Sequence, residues 1–493
     1  MKYFFSLVLS IILSNSQAQL LENYQEALDI LLTSQKAMGA ADTSLLLTAK
    51  GVVYNMGHYD TPEKIAEIAI EEKYGYFPDQ KATYLYSEIK RGTSTYSRAA
   101  LSKEDSLYDF GYYAKKFSKT ADHDFAFEIA KMLPTQLLEL AYQNRSSLRY
   151  LGKDSVYHMI ACTFSAKQNG VLFINDGSHM LEKVETLSYS NIYGDVTQKI
   201  IYSDYFQAQG LKLPATRSDY QGDKLERKLT YTDPRFGIIP DSVNLRIKWV
   251  PKNFRKKIME PVVSLEQFEF AAISNNIDLV KITSQDNKVL IAKFADYIAL
   301  FELPQGIDLN AQLLNELTKR YPGRPLRYIF LTHHHPDHAG GIRMYANLPV
   351  TIVTTPGNKG YFDKLMTTTH TMGNGSKLET GRSAKFEFVS LNGSREFKDR
   401  VNNIIAYEIG ANTAHTLEHL VYYFPASKIL WTGDLVFFYS DEMVYPAGQR
   451  GKSVSDLITQ KKLKVERIYT SWPLHQQKDY GTVDFLNKLV AAK

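Results

Sequence analysis

Cysteine is nearly absent from this chain. Cys162 stands alone among 493 residues, so no intramolecular disulfide can form. It sits in Val156-Tyr-His-Met-Ile-Ala-Cys-Thr-Phe, a strand-like run in which a small buried hydrophobe is expected rather than a nucleophile. Charge of one sign is also lacking: 58 Lys and Arg against 53 Asp and Glu leave a formal +5, and no dense basic block argues for nucleic acid. No repeat of 20–50 residues and no low-complexity tract occurs, which sets aside solenoids and disordered tails. Long apolar runs are missing too. The one at Tyr3 to Leu13 is too short to span a bilayer, so no stable membrane span is expected.

That run follows Met1-Lys2 and precedes Ser14-Asn-Ser-Gln-Ala18, the layout of an export signal covering 1–18 with cleavage after Ala18. No cysteine follows it to accept a lipid, so a periplasmic or secreted protein is expected. Hydrophobic content of 44% and charged content of 23% are those of a globular protein, and the length calls for more than one domain.

Residues 19–150 read as mainly helical. Leu21, Tyr24, Leu28, Leu31 and Leu32 keep helical spacing up to Gly39, and Thr61-Pro62-Glu63 has the form of a helix start. A further amphipathic stretch, 124–141, is broken by Pro134. This opening portion offers no convergent set of ligands. From 151 to 245 the period changes to that of strands, with Gln168-Asn-Gly170 as a hairpin turn and strands around 180–189, 197–207, 214–220 and 227–232. Basic residues between Pro251 and Pro261 mark 246–264 as a linker, and strands then alternate with helices through 265–493, an α/β pattern.

The chemistry is concentrated at Thr332-His-His-His-Pro-Asp-His-Ala-Gly-Gly341. Stripped of its filler positions this is His333, His335, Asp337 and His338, and it follows the apolar strand Arg327 to Leu331. Ligands at a strand-to-loop junction can converge, and imidazole with carboxylate suits a cation such as Zn²⁺. Two later stretches repeat the arrangement. Ala414-His415-Thr-Leu-Glu-His419 precedes a strand, and Ile429-Leu-Trp-Thr-Gly-Asp434 ends one on a carboxylate. Near the C-terminus Ile468-Tyr-Thr-Ser-Trp-Pro-Leu-His475 ends another on a histidine.

This ordered series, over Phe268 to Lys493, resembles the metallo-β-lactamase superfamily. The resemblance implies a C-terminal αββα sandwich, preceded here by an α+β domain with an antiparallel sheet. It also implies two Zn²⁺ per chain. One would be held by His333, His335 and His415, the other by Asp337, His338 and His475, with Asp434 bridging. His334 is the filler, and His419 matches a position that usually packs beside the ligands. Thr332 and Thr416 would hydrogen-bond the ligating rings, and His370 falls in a polar surface loop, 367–380. Ala414 stands where Gly is common, Trp472-Pro-Leu474 replaces the usual Gly-His, and Glu302 stands where many relatives carry Asp.

The activity implied is hydrolysis of an ester, thioester, lactone or similar bond of a small-molecule substrate by a metal-bound hydroxide. Asp337 would orient or accept the proton. An aspartate at 434 resembles the glyoxalase-II-like and lactonase-like branches, whereas β-lactamases proper usually carry Cys or Ser there. A β-lactamase and a ligand-binding protein with a vestigial metal site are the alternatives. Separately, Ile201-Tyr-Ser-Asp-Tyr-Phe-Gln-Ala-Gln-Gly-Leu-Lys-Leu-Pro214 resembles the strand–turn phrases of periplasmic lipoprotein-carrier sheets. That resemblance implies an open face with Ile201, Tyr205, Leu211 and Leu213 for an apolar part of the substrate.

Overall fold

A computed structural model describes residues 21–39, 43–55, 57–91, 94–103, 106–111, 116–120, 124–165, 168–238, 268–373, 375–441 and 444–492. The expected export signal and the basic linker lie outside these residues. The chain forms two compact units. The first comprises Met1–Tyr54, Glu67–Ser188 and Val196–Val263; the second comprises Asn55–Ala66, Tyr189–Asp195 and Ser264–Lys493.

The first unit is built on a 13-stranded sheet, and its opening part corrects the helical expectation for 19–150. Residues 21–38 are helical and stop at Gly39, whose φ of +81° and closeness to the Gly210 carbonyl exclude a side chain. From Leu45 to Thr120, however, the described residues are mostly strand. Thr61-Pro62 begins no helix, and the strand Ala66–Phe77 follows it. In that strand Ile68, Ile70, Glu72 and Tyr74 are buried in alternation. The inward Glu72 conceals this period in the sequence, since a run of Glu and Lys scores as helix. It is accommodated by Arg227, whose Nη1 lies 2.5 Å from Glu72 Oε1.

The hairpin expected at Gln168-Asn-Gly170 is also displaced. Strands Tyr157–Ser165 and Gln168–Asn175 pair with Ser165 opposite Gln168 and Cys162 opposite Gly170, so Asn169 and Gly170 lie inside the second strand. Cys162 is buried there, as a small hydrophobe should be. Helices Asp124–Ala130 and Pro134–Gln143, separated just before Pro134, join the 21–38 helix on one core with Ile160, Leu172, Ile200 and Tyr202. The proposed open apolar face is filled in part by the unit itself. Leu211 and Leu213 are buried with Leu45, Ile70 and Met132, and the Tyr205 hydroxyl is bonded to the Leu181 carbonyl.

The second unit is an αββα sandwich. One sheet runs Phe268–Ser274, Ile277–Ile282, Asn287–Lys293, Ile298–Phe301, Leu326–Phe330, Thr351–Thr354, Lys385–Phe388, antiparallel at first and parallel from Ile298 onward. The other runs Ser394–Lys398, Asn403–Glu408, Leu420–Phe424, Ile429–Trp431, Arg467–Tyr469. Strand Asn287–Lys293 shows why its sequence is almost continuously apolar. Val289 and Ile291 face helices Ile307–Arg320 and Lys359–Met366, while Leu290 and Ala292 face the second sheet. On the far side, helices Gly448–Gln460 and Val483–Ala491 cover Val421, Leu430 and Ile468.

Candidate metal centre

The histidine-rich loop begins where strand Leu326–Phe330 ends. Two further strand ends, after Trp431 and Tyr469, come to the same edge of the sandwich. Leu420 N donates to the Thr332 carbonyl at 2.7 Å, and Ser471 N to the Gly433 carbonyl at 2.8 Å. The Tyr422 hydroxyl closes the seam on the Leu331 carbonyl at 2.7 Å. Backbone bonds between strand ends thus set the positions of His333, His419 and Asp434 before any side chain meets another.

His333 is oriented from behind. Glu302, fully buried with a φ of +69°, accepts from Thr332 Oγ1 at 2.7 Å, from Thr332 N at 3.3 Å and from Trp431 Nε1 at 3.4 Å. With its proton committed to Glu302, Thr332 Oγ1 accepts from His333 Nδ1 at 3.0 Å, which leaves the lone pair on Nε2. That nitrogen lies 3.1 Å from His415 Nε2 and 3.8 Å from Asp434 Oδ1, and His415 Nε2 lies 3.0 Å from the same oxygen. Ligands held by one tetrahedral Zn²⁺ at about 2.0–2.1 Å are separated by about 3.3–3.4 Å. The three atoms fit such a cation. Asp434 Oδ1 is buried and makes no well-formed hydrogen bond among the described residues, so a carboxylate oxygen points into the gap between the two imidazoles.

His419 joins this group, all four ligand atoms lying within 4.8 Å of one another. Its ring stacks on His333 with centroids 4.7 Å apart, and its Nε2 donates to the Thr432 carbonyl at 3.1 Å. The sequence placed it beside the ligands, and the fold brings a ring nitrogen of it within 4.8 Å of theirs.

Electrostatics favour the ligating forms. Burial, then His338 and His335, hold the His333 imidazole neutral by pushing its pKa well down. Burial takes His419 down to about 3. For Asp434 burial opposes ionisation, yet His415, His338 and Arg450 hold the carboxyl well below the usual range. Its other oxygen, Oδ2, faces Arg450 Nη1 at 3.5 Å.

A second group lies beside the first: His58, His335 and Asp337, with ligand atoms again within 4.8 Å. His335 thus lies beside Asp337 and His58, and its ring is also 4.5 Å from that of His333 and 4.6 Å from that of His415, the pair with which the resemblance grouped it. His58 comes from the stretch that had appeared to hold no ligands. Its only sequence signal is a Gly57-His58 pair a few residues after the apolar Val52-Val-Tyr54, too common to single out. Asp337 Oδ1 is buried and without a partner among the described residues, and Asp337 Oδ2 lies 3.3 Å from His338 Nε2. The other nitrogen of His338 faces Ser471 Oγ at 3.3 Å and Glu302 Oε1 at 3.4 Å. Burial disfavours charge on His338, but Asp337 and Glu302 together raise its pKa well above the ordinary value. The carboxylates that favour a proton there favour any cation.

His475 is not brought to this cluster, which corrects its place in the expected ligand set. Its backbone N donates to Asp286 Oδ1 at 2.7 Å, its Nδ1 lies 2.5 Å from Asp286 Oδ2, and 63% of its side chain is exposed. Leu474 N donates to the same carboxylate, so Asp286 captures the segment that replaces the usual Gly-His ending. His370 is likewise not surface. It is fully buried, 3.2 Å from the Tyr189 hydroxyl and 2.9 Å from Thr368 Oγ1. His334, the filler, is buried with its ring edge-on to Tyr361.

Residues 305–472 match the family model of the metallo-beta-lactamase superfamily. Among solved structures, a metallo-beta-lactamase from Pontibacter korlensis is similar at 17% identity and a TM-score of 0.35, over 46% of this chain and 98% of its own. The DIM-1 metallo-beta-lactamase is similar at 16% identity and a TM-score of 0.35, over 46% and 97%. For the FIM-1 enzyme from Pseudomonas aeruginosa in its mono-zinc form the values are 14% and 0.35, over 46% and 95%. No curated protein matches the chain. The matched interval contains His333, His335, Asp337, His338, His415, His419 and Asp434; it excludes both His58 and His475.

Proposed function

We propose that the second unit, whose residues 305–472 match the metallo-beta-lactamase superfamily, is a zinc-dependent hydrolase of a small-molecule ester, thioester or lactone. The observation that carries the reading is the convergence of His333 Nε2, His415 Nε2 and Asp434 Oδ1, a buried carboxylate oxygen without a well-formed hydrogen bond, at separations of 3.0–3.8 Å. These three, with His419 beside them, are the residues that would hold the first cation. A bound Zn²⁺ supplies a Lewis acid and brings a water's pKa to about 7.

The chain's own groups do the rest. Thr332 and Glu302 keep His333 in the tautomer that leaves Nε2 unprotonated. Burial opposes ionisation of Asp337, yet His338 keeps its carboxylate below the usual range, so it is ionised near neutral pH and can accept a proton or align a nucleophile. Arg450 is placed to attract an anionic substrate group, its Nη1 lying 3.5 Å from Asp434. The carboxylate at 434 favours the ester, thioester and lactone classes over β-lactams, by the resemblance to hydrolases with Asp at that position.

The experiment is a panel of chromogenic esters, thioesters, lactones, phosphodiesters and β-lactams, run on zinc-loaded full chain and on His333→Ala and Asp434→Asn. Turnover of one of the first three classes, falling by orders of magnitude in both variants, is expected. β-Lactam turnover alone would replace the class assigned here. A metal-loaded protein inert towards the whole panel would overturn the hydrolase reading in favour of a binding role.

A further inference from the structure

We infer that the partly exposed rings of Trp472, Phe437, Tyr439 and Tyr445, with the Gln477 amide, form a substrate subsite beside the candidate metal centre, and that it takes an aromatic group carrying a carboxamide. This rests on the hydrolase reading above and names the substrate class of that site.

The chain leaves the centre in two stretches that lie side by side. One runs on from Asp434 through Phe437 to Ser440. The other runs on from Ser471, whose Oγ faces His338 Nδ1 at 3.3 Å, past Trp472 and through Gln476 to Lys478. Lys478 N donates to the Phe438 carbonyl at 2.7 Å and Ser440 N to the Gln476 carbonyl at 2.9 Å, which sets Tyr439 opposite Gln477. Backbone bonds that flank a pair in this way make it the non-hydrogen-bonded kind, whose two side chains share a face and stand close together. Alternation puts Phe437 on that face and Phe438 on the other. Phe438 is buried among Val454, Leu457 and Leu486, so one face of this ribbon belongs to the core. On the other face Phe437, Tyr439 and Gln477 are all partly exposed.

The outward face is aromatic along its length. Trp472 and Phe437 meet edge to face at 6.0 Å, Phe437 and Tyr439 lie 6.5 Å apart, and Tyr439 and Tyr445 meet at 4.7 Å and 62°. Tyr445 is 43% exposed, and an open aromatic patch that begins three residues after Asp434 is a ligand surface continuous with the centre. Tilted and edge contacts of this kind leave ring faces available to one more ring. Rings alone would accept any apolar group; Gln477 narrows the choice. Both the nitrogen and the oxygen of its side-chain amide are buried, and neither has a hydrogen-bond partner among the described residues. Such a pair costs stability until both atoms are bonded, and a carboxamide supplies the matching acceptor and donor. No bond holds the amide tip in its covered position, so it can turn to a ligand lying against Tyr439.

The test uses zinc-loaded full-length protein and two inert probes, acetanilide and N-cyclohexylacetamide, which share the amide and differ in the ring. Saturation-transfer NMR should show acetanilide binding more tightly. Tyr439→Ala and Gln477→Leu should each weaken it by roughly 2–10-fold, the worth of one ring contact or one hydrogen bond. Zinc content should stay at the wild-type level in both variants, which separates loss of the subsite from misfolding. In turnover, the ratio of kcat/KM for para-acetamidophenyl acetate to that for methyl acetate should fall in both, and Tyr439→Phe should keep it. Equal affinity for the two probes, or unchanged acetanilide binding in either folded variant, would overturn the inference while leaving the hydrolase reading standing. Preferential acetanilide binding by a chain inert towards every ester would uphold the subsite and end the hydrolase reading.

Discussion

Two residues beside the ligands have left-handed backbone, and they differ in what they tolerate. Ala414, just before His415, has φ +53° and carries a Cβ at a cost on the order of 1 kcal/mol. That strain accounts for Gly being common at this position in the family. Gly433, just before Asp434, has φ +65°, and a Cβ there would lie 2.9 Å from Thr332 Oγ1 and 3.2 Å from His419 Nε2. Gly433→Ala should therefore lose about 1–3 kcal/mol of stability. It should also weaken metal binding, because the hydroxyl it displaces orients His333. Denaturant unfolding and a zinc affinity measurement check both effects, and a variant with normal zinc affinity would mean that Thr332 does not set the His333 ring.

At the scale of the element, strand Asn287–Lys293 carries one buried charge. Lys288 is 1% exposed, its Nζ donates to Thr470 Oγ1 at 3.3 Å, and burial pushes its pKa down to about 8. In the unfolded chain a lysine titrates near 10.4. Between about pH 8 and 10.4 the unfolded chain holds this proton and the folded chain does not, so the contribution of Lys288 to stability rises with pH. Below pH 8 both states hold it, and the folded state bears a constant cost on the order of 3 kcal/mol. Lys288→Met should thus be more stable than wild type at pH 7, with the gap closing by pH 10. Urea titrations at the two values measure it; a gap independent of pH would show that folding does not shift the lysine's pKa.

Taken as a whole, the molecule does not divide at the linker alone. The second unit includes 55–66 and 189–195 besides the residues from 264 onward. Gly57 meets Tyr361 and Tyr193, and Asp195 Oδ2 accepts from Thr371 N at 2.9 Å, so both inserted segments are bonded to the sandwich. A fragment spanning 265–493 lacks His58, the Tyr59 carbonyl that orients His335, and Tyr189 beside His370. Such a fragment should melt at a lower temperature than the second unit does in the full chain and bind fewer cations. Scanning calorimetry with elemental analysis tests this, and full metal content in the fragment would make the two segments dispensable.

Local order in the sequence was enough to reveal the sandwich and most of the residues gathered at its candidate metal centre. His333, His335, Asp337, His415 and Asp434 each follow or precede an apolar strand, and strand ends converge wherever two sheets pack face to face. The same local order misled where inward and outward residues are both polar. Glu72 faces inward with Arg227 and hid the alternation of its strand, so a sheet read as helix. Tertiary structure alone decided the rest. Whether His475 or His58 reaches the cluster depends on Asp286 capturing the one and on Tyr361, Tyr193 and Leu417 seating the other. His335 lies 277 positions from His58 (335 − 58), and no periodicity of either stretch encodes their stacking. Ligand type is written in the chain, but ligand grouping depends on which loops the folded backbone ties together.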